Sequence, residues 1–131
     1  MISRLLFLLL VLAPVFATDQ KTESSAEAAD ANCSQANTQM EINQCLGDAY
    51  QKADKKLNQT YSGILKKQDA AGQARLRTVQ RAWVKYRDAN CDAAAARYAG
   101  GSIQPSIHSE CLKRITAARI DELQHVYALN P

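Results

Sequence analysis

The chain has 131 residues, with 16 lysines and arginines against 13 aspartates and glutamates, and a formal net charge of +3. That length holds one domain at most. So even a balance excludes a strongly basic nucleic-acid binder and gives almost no long-range steering toward a charged partner. With 5 Gly and 3 Pro the chain is not collagen-like.

The N-terminus reads as an address. Arg4 precedes the unbroken apolar run Leu5 to Leu12, Pro14 breaks it, and Val15-Phe16-Ala17 is a small-x-small cleavage site. This is the pattern of a secretory signal peptide over residues 1–17, cut after Ala17. The run is shorter than the roughly 20 residues that span a bilayer, and no later stretch approaches that length. Thr18, rather than a cysteine, follows the cut, so no lipid anchor is expected. The mature chain, 18–131, is expected in the periplasm or secreted. Loss of Arg4 lowers its net charge from +3 to +2, and Phe7 and Phe16 leave as well. Alanine then outnumbers Leu, Ile and Val together. That is a thin core for a small domain, and covalent staples would help it.

Four cysteines remain: Cys33, Cys45, Cys91 and Cys111. An even count in an exported chain implies two disulfides. Zinc sites usually contain a C-x2–4-C pair, and none is present, so no metal is expected. Sequence alone leaves three pairings open.

Residues 18–31, TDQKTESSAEAADA, are polar and small and read as a flexible leader. The folded domain is placed at 32–131. Thr38 and Glu41 fit a capping box. Apolar residues then recur at Ile42, Leu46, Ala49/Tyr50, Ala53, Leu57, Tyr61 and Ile64/Leu65, one face of a helix. Ala70-Ala71-Gly72 reads as a turn. A second run, Leu76, Val79, Ala82/Trp83, Tyr86, Ala89, Ala93 and Ala96, stops at Gly100-Gly101, where a helix C-terminus is natural. Ser102 to Ser106, containing Pro105, reads as a loop. A third run takes in Ile107, Cys111/Leu112, Ile115, Ala118, Leu123 and Val126 and fades at Asn130-Pro131. No period-2 segment of any length occurs. The expected fold is all-α, a small three-helix antiparallel bundle: a helical hairpin plus a third helix folded back across it. Reflecting the hairpin about its turn puts Cys91 opposite residue 51, about 9 Å along the helix from Cys45. A bridge needs Cα atoms within about 7 Å. Cys33, in flexible lead-in chain, can reach Cys91, and Cys111 opens the third helix near the start of the first, where Cys45 lies, so Cys33–Cys91 and Cys45–Cys111 are the favoured pairs.

Catalytic groups are scarce. The 2 histidines, His108 and His125, have no nucleophile at a motif spacing. The acids are scattered, and Gly100-Gly101-Ser102 follows a helix instead of opening one after a strand. No enzyme and no cofactor are expected. Two clusters stand out: Ala53 to Asn58 with Tyr61, and Gln80 to Asp88. Asp54 and Asn58 share a helix face at i and i+4. Trp83 and Tyr86 are placed on the inner stripe of the second helix, with Arg87 beside them. One reading is a core aromatic pair tied by a cross-helix Asp54–Arg87 pair; the other is an exposed patch for a partner.

These clusters resemble a known family. Its pattern is met here by Cys33, Met40 to Cys45, Ala53-Asp54-x-x-Leu57-Asn58-x-x-Tyr61, Gln80-x-Ala82-Trp83-x-x-Tyr86-Arg87-Asp88-x-x-Cys91, Gly100-Gly101-Ser102, Cys111 and Thr116-x-x-Arg119. Over residues 33–123 the chain resembles the secreted bacterial LprI-type domain, named for a lysozyme inhibitor. The resemblance implies a protein partner in the cell envelope, lysozyme first. An alternative is a non-inhibitory envelope module that binds another protein, such as an effector toxin or a resident envelope enzyme. With little net charge to steer it, inhibition would rest on local fit. The natural probe is the loop from Gly100 to Ser106, with Gly101, Ser102, Ile103 and Gln104 as candidate contacts beside Asp54, Asn58 and Arg87.

Overall fold

The computed structural model describes residues 33–127; the expected signal peptide (1–17) and leader (18–31) lie outside them. A short 3-10 turn, Cys33–Gln35, leads into three helices: α1 (Gln39–Lys66), α2 (Ala70–Ala96) and α3 (Gln104–Tyr127). No strand occurs among the described residues.

The expected capping box opens α1. Thr38 Oγ1 accepts from the Glu41 amide at 3.2 Å, and Glu41 Oε2 accepts from the Thr38 and Asn37 amides at 3.0 and 2.8 Å. These bonds satisfy donors that the first helical turn leaves free. They also hold the Glu41 carboxyl below its ordinary pKa, the Asn37 amide contributing most.

The turn after α1 comes earlier than the alanine–glycine stretch suggests. Asp69 caps α2, its Oδ1 accepting from the Gly72 amide at 2.6 Å, so Ala70-Ala71-Gly72 is the first turn of the helix. A side-chain oxygen at the N-cap outweighs the helix-breaking tendency of one glycine. Gly72 is buried, and a Cβ there would stand only 3.0 Å from Asp69 Oδ1 and from Gln68 Oε1. The second connection is likewise displaced. Gly100 takes the left-handed conformation (φ +78°), and α3 begins at Gln104, so Pro105 and Ser106 are helical. Proline is tolerated in a first turn because the N–H it lacks would have no helical acceptor there.

The helices run up, down, up. Asp54 meets Arg87 across α1 and α2, while Gln80 meets Arg119 and Asp92 meets His108 across α2 and α3, so both pairs are antiparallel. α3 packs most extensively on α1, and the α1 and α2 backbones stay further apart, joined through long side chains. Two apolar clusters form the interior. One joins Leu57, Ile64, Leu76, Ile120 and Leu123; the other joins Cys91, Cys111, Leu112 and Ile115. Trp83 packs against both.

The buried stripe of α2 is Leu76, Gln80, Arg87, Cys91 and Ala95. Val79 and Tyr86, expected inside, are 43% and 59% exposed. Apolar identity misled the reading here: two polar side chains hold core positions because each finds a partner, and Tyr86 is turned outward.

Two disulfides are present, as expected, but the pairing is Cys33–Cys45 and Cys91–Cys111, not Cys33–Cys91 and Cys45–Cys111. The lead-in to α1 is not free chain. The 3-10 turn is closed by the Ala36 amide on the Cys33 carbonyl at 3.1 Å and lies back on α1, with Cys33 and Cys45 Cα atoms 5.9 Å apart. α3 starts beside α1, as expected, yet its antiparallel register with α2 sets Cys111 opposite Cys91, with Cα atoms 5.5 Å apart.

Candidate functional site

The residues singled out from sequence fall into two groups. Asp54, Asn58 and Arg87 come together where α1 faces α2. Gly101, Ser102, Ile103 and Gln104 lie at the α2–α3 junction. The α1 residue that holds this junction, Asn43, is about 16 Å along the helix from Asp54.

In the first group, Arg87 is a buried residue, 8% exposed. Its Nη1 donates to Asp54 Oδ1 at 3.1 Å and its Nε to Asp88 Oδ1 at 2.8 Å. The guanidinium carbon lies 5.2 Å from the Trp83 ring centroid and 5.7 Å from that of Tyr50. Burial works against its charge, but the hydrogen bond to Asp88, with Tyr50 and Asp54, outweighs burial and leaves its pKa above the ordinary value. Arg87 is therefore a permanent cation in an aromatic slot. Burial pushes the Tyr50 hydroxyl up, with Arg87 opposing it. Asp54 Oδ2 accepts from Asn58 Nδ2 at 3.1 Å. So Arg87 is buried and holds Asp54 from within the bundle, whereas half-buried Asp54 and exposed Asn58 reach the surface. They line an open groove of about 780 Å³ along α1 with Tyr50, Gln51, Gln59 and Ser62.

The second group is a short loop held at several points. Asn43 Nδ2 donates to the Ser102 carbonyl at 3.0 Å. Ser106 Oγ donates to Asn43 Oδ1, and Gln39 Nε2 bridges the same two side chains at 2.9 Å each. Gln104 Oε1 accepts from the Gly100 amide at 3.3 Å, and the Gly101 amide donates to the Tyr98 carbonyl at 2.9 Å. The Cys91–Cys111 bridge and the His108–Asp92 contact of 3.0 Å fasten the flanking helices. Gly101, Ser102 and Ile103 are exposed and Gln104 is half-buried. Tyr98 and Ile103 are the large apolar side chains that this loop presents, 43% and 41% exposed.

Sequence reasoning missed Gln39, Asn43 and Ser106, which fasten the loop, and the Gln80–Arg119 contact beneath Trp83. Arg119 Nε donates to Gln80 Oε1 at 3.1 Å, Arg119 Nη1 pairs with Glu122 at 2.8 Å, and its guanidinium carbon lies 5.7 Å from the Trp83 ring centroid. Gln80 does fall four residues after Leu76 and three before Trp83, a spacing that marks an inward position. Among the described residues no group of His, Cys, Asp and Glu could hold a metal ion, and no helix is long and apolar enough to cross a membrane.

The four cysteines, the Trp83–Arg87–Asp54 slot and the glycine loop all lie within one matched stretch: the family model described as lysozyme inhibitor LprI covers residues 29–123. The chain belongs to the LprI family. Its LprI domain has a relative in an uncharacterised protein of Rhizobium meliloti (strain 1021), 31% identical over 116 residues, which cover 79% of this chain and 84% of the relative. No solved structure matches the LprI chain. The two disulfides of this LprI domain fit an oxidising compartment.

Proposed function

We propose that the protein is an exported inhibitor that binds lysozyme, rather than an enzyme, and that the loop at the α2–α3 junction is its main contact. The observation that carries this reading is the extent of the family match: residues 29–123 take in both disulfides and both candidate surfaces. The geometry supports the assignment to the loop. Gly100 and Gly101 give a narrow, small-sided tip, and Ile103 and Tyr98 offer apolar contact area beside it. The loop is held from α1, α2 and α3, so little conformational freedom is lost on binding. Asp54 and Asn58 are a second contact, with Arg87 fixing Asp54 from below. Roughly 16 Å of helix separates the two surfaces, which fits one interface of ordinary size, about 800 Å² a side.

The test is a variant with Ser102-Ile103-Gln104 replaced by three alanines. Inhibition of cell-wall lysis should weaken by more than about tenfold, the loss expected when a small set of central contacts carries the affinity. Helicity by circular dichroism should not change. Full potency in a folded variant would clear the loop of this role.

A further inference from the structure

A third surface lies nearer the α1–α2 turn than the Arg87 cluster. It is a groove of about 580 Å³, open along its length and lined by residues of α1 and α2 alone. Its floor is apolar: Tyr61, Leu65 and Val84 are half-buried, and Tyr61 and Leu65 pack on the core cluster beneath. Its α2 rim is cationic. Arg77, Arg81 and Lys85 stand at successive i, i+4 positions, a ridge about 12 Å long. Gln73 Oε1 accepts from Arg77 Nη2 at 3.0 Å, while the side chains of Arg81 and Lys85 make no hydrogen bond or ion pair among the described residues. No acidic residue lines the groove.

We infer that this groove docks an acidic amphipathic helix of a partner protein. Two antiparallel helices leave a slot on each side, and α3 fills the other one. A helix is the element such slots accept, its apolar stripe laid on the floor. Carboxylates at i, i+4 on that helix would face Arg77, Arg81 and Lys85 in register. An acyl chain fits less well, because an open groove leaves much of it in water. The inference is independent of lysozyme inhibition: the uncompensated charge here is positive, and its complement is an acidic partner.

The test uses the oxidised mature chain and a labelled helical peptide of about 18 residues, with leucines at i, i+3, i+4 and glutamates at i, i+4 beside them. A companion peptide carries lysine for every glutamate, and phosphatidylglycerol vesicles serve as a third probe. The acidic peptide should bind, and the combined Arg77→Glu, Arg81→Glu and Lys85→Glu variant should weaken it about eightfold or more, the product of about two- to fivefold at each of three exposed ion pairs. Val84→Ser should weaken it too, through the floor. The lysine peptide should not bind. No binding of the acidic peptide at millimolar concentration, equal affinity for both peptides, undiminished affinity in the folded charge-reversed variant, or binding to vesicles alone would each overturn the inference. Lysozyme inhibition assayed on the same charge-reversed protein reports separately on the proposed function.

Discussion

Arg87 of α2 reaches across the bundle to Asp54 of α1, 3.1 Å away, through a slot whose walls are Tyr50 and Trp83. This contact joins two helices whose backbones stay well apart, and it sets the carboxylate that faces the α1 groove. Replacing Arg87 with Met keeps much of the volume but strands Asp54 and Asp88 beside an apolar slot. Breaking a fully buried pair costs about 3–5 kcal/mol. Here the two carboxylates are 36% and 51% exposed, so water offsets part of the loss. The expected destabilisation is about 1–3 kcal/mol, read as a lower urea midpoint. An unchanged midpoint would mean that the slot is held by its aromatic rings alone.

The disulfide pairing gives a prediction with a simple chemical readout. Trypsin acting on the unreduced protein should link the peptide 88–97, which contains Cys91, to the peptide 98–113, which contains Cys111. Cys33 and Cys45 should stay within one peptide, 22–52. Replacing Cys91 and Cys111 together by Ser should cost about 3 kcal/mol, the loop-closure figure for a loop of about 20 residues. A peptide joining Cys45 to Cys91 or to Cys111 would contradict the fold described here.

How much of this was legible beforehand depended on whether a contact was local. The Thr38–Glu41 capping box, the apolar face of α1 and the three-helix count all follow from patterns within one or two turns, and the structure agrees. The disulfide pairing depends on the register between α2 and α3 and on the fold of the chain ahead of α1. Neither leaves a local trace. The inward face of α2 is equally non-local. Gln80 and Arg87 look like surface residues until Arg119 and Asp54 are placed beside them, and Tyr86 looks like core. At the loop, glycines marked the place, but Asn43, which holds it from 59 residues away, carried no signal.

The capping box predicts a pH dependence. Glu41 is held below its ordinary value of 4.5, so the folded state favours its ionised form. Its stabilising effect is fully present above the unfolded value and is lost as pH falls through the lower folded value. Wild type should therefore exceed Glu41→Gln in stability at pH 7, and the gap should close on acidification below pH 4.5. Parallel thermal melts of the two proteins from pH 7 downward check this. A gap that stays constant would assign the effect to packing instead. Thr38→Ala, which removes the other half of the box, should cost about 1 kcal/mol at any pH.

Gly100 is the one described residue with positive φ, at 78°. Its replacement by Ala meets no atom within 4 Å, so the cost is conformational, about 1–2 kcal/mol. Calorimetry should show a lower melting temperature. Because this residue shapes the loop, inhibition should weaken as well. Loss of stability with full inhibition would separate the loop's shape from its binding role.

A disulfide-stapled LprI domain that acts as proposed binds lysozyme and blocks it. The most direct measurement titrates the oxidised mature chain, with a reduced and alkylated control, into an animal-type lysozyme at about 0.15 M salt, where exposed charges are screened beyond roughly 8 Å. Cell-wall lysis and direct binding are read together. Saturable binding and loss of lysis are expected with the oxidised protein and neither with the control. Absence of binding by the oxidised protein at tens of micromolar would contradict the proposed function.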